Sequence, residues 1–467
     1  MGEAITKNKN LQNTNDNEFL SKGMTGLFWK YALLALVGTI FSNIAVILDG
    51  YFMGNGVGEM ALAGIAVVIS LMYLCMATFN MIGVGASTLA GIKIGAGDED
   101  GAKDVYGSTL VFTALITVIF SVVALIFCNP LLRFLGATDT VLPYARDYAL
   151  IFFVFFPLCV LGQVAYFFCR VAGRPRPAAI VFTLAGVAAM IVEYVLVFHC
   201  HWGTSASAVD FVVGIAGTAP LLIYLQKQKT VFALGKKHLR LNKQYTWETL
   251  KIGFPMFLFN FCPLITTVII NRQLITYGGN DLHLAAFGIF NAYIVYVLNG
   301  ITNAFAAGMQ PIASVNLGAK RYDRLRSVIK VGVVQSFVVL LALQIIVYVF
   351  ARPFVGFFAG GSVELVDITV EAMRFFIIVY AFGNVATLVG GYYISVEKNL
   401  LALVNSTTRV LIFAVPMLFV IPRFLGLNGV WLAQPFADVL ACVVAIICIS
   451  HELKVLRNKE LTLINKA

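Results

Sequence analysis

Four acids, Asp49, Glu193, Asp210 and Asp438, lie in or at the edge of long apolar stretches, and two bases, Arg272 and Arg409, lie in similar places. A charged side chain at the centre of a bilayer costs about 2.5 to 3.5 kcal/mol on insertion scales, so such residues face a bundle interior or water. A carboxyl group held there can take up and release a proton, or hold a sodium ion as the carboxylate. Asp49 and Glu193 are the candidates for this cation coupling. They fall in the same half of the chain, toward corresponding ends of their apolar runs, where one shared site can form. Their alternative role is to cap or hydrogen-bond neighbouring helices. Asp210 marks the outer end of an apolar run, and Asp438 lies inside one. Arg272 and Arg409 read as structural residues, each expected to pair with a carboxylate or with helix carbonyls. His199 and His201 stand at a boundary and are assigned no metal.

The elements that must position these residues follow from composition. Sixty per cent of the 467 residues are apolar, 12% are charged and mean hydropathy is +0.88, too little polar surface to coat a soluble domain of this size. A helix needs about 20 apolar residues to cross the hydrocarbon, since backbone amides find no water there and must bond within the helix. Eight runs contain no Asp, Glu, Lys or Arg: 31–48, 61–92, 105–132, 148–169, 252–271, 282–319, 331–351 and 375–396. Four more carry one charge each, namely Glu193 in 178–200, Asp210 at the start of 210–225, Arg409 in 400–422 and Asp438 in 424–450. Together they make twelve spans, an all-α integral membrane fold.

Of the 33 Lys and Arg, 26 fall in the first 30 residues, in alternate loops and in the tail after His451. This positive-inside bias places both termini in the cytoplasm and argues for a membrane rather than a nucleic-acid partner. The eight cysteines sit singly, without CxxC spacing, and suggest neither a disulfide framework nor a metal site. The first 22 residues have no apolar stretch of their own, so the first span is expected to act as the insertion signal.

The longest internal polar stretch, 226–251, divides the chain. A shift of 223 residues matches Gly85, Ala90, Gly95, Ala96 and Asp100 to Gly308, Ala313, Gly318, Ala319 and Asp323, and a shift of 221 pairs Lys30 with Lys251. The expected organisation is a cytoplasmic tail (1–27), a lobe of helices one to six (28–225), a cytoplasmic linker (226–251), a lobe of helices seven to twelve (252–450) and a second cytoplasmic tail (451–467). Six spans per repeat give both copies the same orientation, related by a pseudo-two-fold axis along the membrane normal. Secondary transporters with such repeats place substrate near the midplane and expose it alternately to either side.

Specific segments resemble the MATE (multidrug and toxic compound extrusion) family, most closely its MepA-like bacterial branch, across nearly the whole chain. They are Asp49-Gly50-Tyr51-Phe52-Met53-Gly54 with Ala61-Leu62-Ala63, then Asn271-Arg272-Gln273 with Tyr277-Gly278-Gly279 and Ala285-Ala286-Phe287-Gly288, then Arg409 and Gly426-Leu427-Asn428-Gly429-Val430-Trp431. The family favours Pro in the first span where this chain has Leu34, although the repeat-matched position keeps Pro255. Where some members implicate an Asn and an Asp in coupling in the fifth span, this chain has Ala189 and Glu193. The acid is kept in a longer form and the amide is lost.

The resemblance implies a cation-coupled antiporter, driven by protons or sodium ions, that exports amphipathic organic cations by alternating access, with no cofactor. It is expected to be a monomer in the cell membrane, in contact with lipid. One-for-one exchange of a proton and a monovalent cation would be electroneutral, with one pH unit supplying about a tenfold limiting accumulation. Polyspecific pockets combine apolar walls with a few polar points. The side chains that interrupt apolar runs are the candidates for the path: Asn43, Asn80, Gln163, Tyr166, Asn260, Asn271, Asn291, Tyr293, Tyr296 and Asn299. Each can instead serve as glue between helices. A lipid or lipid-linked oligosaccharide flippase of the same superfamily is the alternative, but phospho-headgroups call for several basic residues within spans, and only Arg272 and Arg409 are found. A membrane enzyme would need aspartate-rich metal motifs or paired catalytic groups within spans. Asp98-Glu99-Asp100, with Lys103 nearby, reads as a solvated turn, so no enzyme is expected.

Overall fold

The computed structural model describes residues 18–465 apart from 58, 136, 228–229, 279–281 and 359–362. Part of the expected N-terminal tail, 1–17, thus lies outside the described residues. The described residues are helical with no strand. The first half supplies α1 (Met24–Gly56), α2 (Glu59–Gly95), α3 (Glu99–Ile126), α4 (Leu142–Val171), α5 (Pro175–Phe198) and α6 (Ser205–Lys227). The second supplies α7 (Lys243–Gly278), then α8 in three consecutive pieces, Leu282–Ile289, a π-helical Phe290–Val295 and Tyr296–Gly318. After these come α9 (Tyr322–Val349), α10 (Val363–Ile377 and Tyr380–Ser395, bent by 50°), α11 (Asn399–Val420) and α12 (Pro422–Ile464). Among the described residues ten helices are long and apolar enough to cross a membrane, and the bent pair in α10 makes eleven. The interrupted α8 occupies the remaining apolar run, so the order is that of a twelve-span protein.

These helices are amphipathic in the sense reversed from soluble proteins. Along α3, Thr109, Thr113, Thr117 and Ser121 recur every four residues and are buried, while Leu115, Ile116, Ile119, Val122 and Ile126 are exposed. Thr109 and Thr117 donate back to the carbonyls of Val105 and Thr113 at 2.7 and 2.6 Å. Lipid leaves no hydrophobic drive between helices, so small and hydroxyl side chains form the packed face and branched apolar ones meet the acyl chains.

Two compact units result. The first comprises residues up to 21, 34–254 and 318–320, and the second comprises 22–33, 255–317 and 321–467. Their borders therefore fall inside α1 and α7, rather than at the expected lobe limits of 28–225 and 252–450. Close packing between helices explains this. Within the first unit, a Cβ on Gly85 of α2 would overlap the backbone of Thr249 at the start of α7, and one on Gly253 would overlap that of Met81. Within the second, a Cβ on Gly308 of α8 would stand 2.9 Å from the backbone of Ala32 in α1. The repeat-matched glycines Gly85 and Gly308 thus do the same work.

Helix α7 begins inside the expected linker because Asn242 caps it, its Oδ1 accepting the backbone N–H of Gln244 at 3.0 Å and of Tyr245 at 3.3 Å. The linker itself is held against α3 and α4. Phe232 is buried against Tyr106 and Phe168, His238 Nδ1 meets Asp104 Oδ1 at 2.6 Å, and the Asn242 backbone N–H donates to Ser108 Oγ at 2.9 Å. Helix α12 runs on through most of the expected tail at 451–467. Its Glu452 is buried in an ion pair with Lys398, and its Glu460 accepts from Arg326 at 2.7 Å.

Candidate functional site

The first unit brings Asp49 of α1, Glu193 of α5 and Asp210 of α6 together. One carboxylate oxygen from each lies within 4.8 Å of the others. A triangle of that edge puts each oxygen within about 2.8 Å of its centre, the reach of a hydrogen bond or an oxygen–cation contact.

The register that makes this cluster is set by small residues. Helices α5 and α6 run antiparallel, and a Cβ on Gly217 would stand 2.5 Å from the Ala185 Cβ, while one on Gly214 would stand 3.6 Å from the Ala189 Cβ. The next step of that ladder pairs Glu193 with Asp210. Thr204 anchors the start of α6 by donating to the Tyr144 carbonyl of α4 at 3.0 Å. Helix α1 lies along α5: Gly38 admits Phe182, with a Cβ there 3.0 Å from the ring, and a Cβ on Gly56 would overlap Val197. Phe52 adds ring contacts to Tyr194 and Phe198 with centroids 5.7 and 5.9 Å apart. Asp49, between these contacts, is carried to the level of Glu193. The loss of an amide at Ala189 now has a packing consequence, because the small side chain is what Gly214 approaches.

No base answers these acids. Among the described residues none of the three forms an ion pair, and Asp49 Oδ1, Asp210 Oδ1 and both oxygens of Glu193 are buried without a hydrogen-bond partner. Glu193 is wholly enclosed. Buried Tyr148 of α4 also lies within electrostatic reach of all three. Orphaned carboxylate oxygens are costly unless a proton or a metal cation fills the gap. The donor set is all oxygen, which suits a hard cation or shared protons.

The second unit resolves its buried charge differently. Arg409, on the π-helical turn Thr408–Ala414 of α11, binds Asp438 of α12 through Nε at 2.7 Å and Nη2 at 3.1 Å. Its Nη1 donates to Asn384 Oδ1 at 3.1 Å, and Gln434 Nε2 donates to Asp438 Oδ1 at 2.8 Å. The guanidinium also lies 5.4 Å from the Tyr380 ring centroid. A Cβ on Gly383 would overlap the Asp438 carboxylate, so the missing side chain makes room for the pair. Arg409 therefore has the carboxylate partner expected of it. Arg272 is exposed and has no such partner among the described residues, a correction to the pairing expected of it.

The polar path candidates scatter. Asn43 is buried with Nδ2 unpartnered, and Gln163 keeps a buried, unpartnered Oε1. Tyr166 stacks near Phe182 and under Arg170. Asn260 spends its amide on the Met256 carbonyl of its own helix at 2.8 Å, and Asn299 accepts the Tyr380 hydroxyl at 2.7 Å. Asn80, Asn271, Asn291 and Tyr296 are half-buried, and the side chain of Tyr293 lies outside the described residues. Asp210 is the member of the cluster that sequence reasoning left at a boundary. Its position four residues before Gly214, on a run whose small residues face α5, was the available signal.

A twelve-span order of helices, duplicated in sequence and carrying an acid cluster without an ion pair among the described residues of its first unit, marks a multi-pass membrane transporter rather than an enzyme. The chain belongs to the MatE family, whose model matches residues 35–195 and 252–420. It is 28% identical over 430 residues to the probable multidrug resistance protein YoeA of Bacillus subtilis, covering 88% of this chain and 90% of that one. It is 23% identical over 420 residues to the multidrug export protein MepA of Staphylococcus aureus, covering 90% and 92%. Its fold matches an outward-facing multidrug resistance MATE transporter of the MOP superfamily with a TM-score of 0.88 at 18% identity, over 94% of this chain and 98% of the other.

Proposed function

We propose that this chain is a cation-coupled antiporter that exports amphipathic organic cations across the cell membrane by alternating access, with the Asp49–Glu193–Asp210 cluster as its coupling site. The observation that carries this reading is the cluster itself: three acids on three helices of one unit, with orphaned oxygens and no base. A proton or sodium ion entering from outside neutralises the cluster, and the neutral and charged clusters favour different conformations. A ligand shifts such an equilibrium only by its differential affinity for the two states. Emptying the cluster supplies that difference for the outgoing cation. Helix α1 is suited to pass it on, since it carries Asp49 within the first unit while its beginning belongs to the second. Export of organic compounds is supported by the names of the relatives, a multidrug export protein among them. The protein acts as a monomer with both termini in the cytoplasm, in keeping with the positive-inside bias.

The test is reconstitution into liposomes with a fluorescent organic cation and an imposed proton or sodium gradient. Wild type moves the dye under one of the two gradients, which identifies the coupling ion, and Asp49→Asn reduces the movement to background while the protein stays folded. Equal transport by Asp49→Asn would remove the cluster from the mechanism. No movement by folded wild type under either gradient would remove antiport.

A further inference from the structure

We infer that the Asp49–Glu193–Asp210 cluster also binds a calcium-sized divalent cation, which fills the cluster from outside, holds it against the exchange of protons or sodium ions and so inhibits export. The inhibition rests on the antiport reading, whereas the binding does not. One oxygen from each carboxylate lies within 4.8 Å of the others, so a cation at the centre stands within about 2.8 Å of all three, near the calcium–oxygen distance of about 2.3 to 2.6 Å. Calcium takes about six to eight oxygen ligands in flexible geometry, and three carboxylates, each offering one oxygen or both, cover most of that set. Magnesium is smaller, demands a near-ideal octahedron and gives up its waters reluctantly, so an enclosed cage of this size suits it poorly. A doubly charged ion balances two carboxylates where a proton or a sodium ion balances one. A third acid beside an exchanging pair therefore favours the divalent ion.

Three further observations point to a ligand here. Glu193 is wholly enclosed, and among the described residues neither of its oxygens has a hydrogen-bond partner. A structural acid at that depth would spend them on backbone N–H groups or hydroxyls. Asp49 and Asp210 are only half-buried, so the cluster closes on Glu193 and opens on their side, which gives an ion a way in. The cage is also held in place beforehand: the Ala185–Gly217 and Ala189–Gly214 contacts fix the register that sets Glu193 opposite Asp210, and Thr204 ties the start of α6 to the Tyr144 carbonyl at 3.0 Å.

The site is tested by equilibrium dialysis of the full chain in neutral detergent against radioactive calcium. Wild type is expected to take up one calcium ion per chain, and a roughly tenfold excess of magnesium should not displace it. Glu193→Gln is expected to lose that ion, and Asp210→Asn to bind it at least about tenfold more weakly, a loss that even an outer partner of a metal ligand brings. Calcium should raise the melting temperature of wild type and not that of Glu193→Gln. In vesicles of zwitterionic lipid, calcium added on the side of the driving ion should slow gradient-driven ethidium export by wild type at the concentrations that fill the dialysed site, while magnesium leaves it unchanged. Wild type that takes up no calcium, or folded variants that take up as much as wild type, would overturn this inference and leave antiport standing as long as ethidium moves. Calcium bound with export unslowed would overturn the inhibition. Should Glu193→Gln fail to fold, Asp210→Asn and the wild-type competition with magnesium still decide. If no ethidium moves under either gradient without calcium, the antiport reading fails and the inhibition with it, and the dialysis decides the site alone.

Discussion

The first unit gathers three acids that meet no base among the described residues, whereas the second locks one acid to one base and surrounds both with Asn384, Gln434 and Tyr380. Both arrangements put charge where lipid or protein replaces water, yet they solve different problems. A bidentate guanidinium–carboxylate pair with further hydrogen bonds is complete in itself and has no use for a passing ion. Three carboxylates with orphaned oxygens are incomplete in every state that lacks a cation. Completeness marks Arg409–Asp438 as architecture, and incompleteness is the reason the proposed coupling site is placed at Asp49–Glu193–Asp210. The shift of 223 residues that relates the halves carries Asp49 onto Arg272, so the duplicated unit has not kept the acid in its second copy.

The contrast can be broken most forcefully at the ion pair. Asp438→Asn leaves Arg409 buried without its countercharge and is expected to destabilise the protein by about 3 to 5 kcal/mol, read as a lower melting temperature in detergent. A middling effect is expected where the hairpin register is set. Gly217→Leu drives a side chain into Ala185, at a cost of about 1 to 3 kcal/mol. It should also spread Glu193 and Asp210 and lower gradient-driven transport, a coupling loss that a remote cavity mutation of equal cost should not show.

A smaller effect belongs to the turn before α3, outside the spans. Asp98 caps that helix, with Oδ1 accepting the Gly101 N–H at 2.9 Å and Oδ2 the Lys93 ammonium at 3.0 Å. The Gly101 hydrogen bond, and after it Lys93, hold its carboxyl below the ordinary carboxylate range. A depressed folded value stabilises above the unfolded value and is lost as pH falls through the folded one, so Asp98 supports the fold at neutral pH and ceases to do so in strong acid. Asp98→Ala is expected to cost about 1 kcal/mol at neutral pH, with the difference from wild type vanishing as acid protonates the wild-type carboxyl. The smallest change in stability is expected from Glu193→Gln. Removing one of three unpaired acids leaves the melting temperature unchanged or raised while driven transport is lost, the pattern of a site kept for function at the expense of stability.

Much of the helical order was readable in the sequence because a span in lipid must be long, apolar and internally hydrogen-bonded. Asp49 and Glu193 stood out for the same reason. What escaped was set by contacts between distant segments. Asp210 opens an apolar run and so looked like a boundary residue, until the α5–α6 register placed it opposite Glu193. The Arg409–Asp438 pair joins residues 29 apart, and nothing in either run names the other. The apolar stretch 282–319 looked like one helix but contains a π-helical turn at Phe290–Val295, a local change in winding that hydropathy does not register. The borders of the compact units fall inside α1 and α7 because Gly85, Gly253 and Gly308 let helix backbones touch, and composition draws the division instead at the polar linker.

The most direct test sets the two charge clusters against each other in the same vesicles. Gradient-driven efflux of a fluorescent organic cation is measured for Asp49→Asn and for the paired replacement Arg409→Met with Asp438→Leu, which exchanges the ion pair for apolar side chains of similar volume. The account predicts that Asp49→Asn is folded and uncoupled, and that the paired replacement is folded and still coupled. Coupled transport by Asp49→Asn together with its loss in the paired replacement would place the coupling site in the second unit and contradict the account.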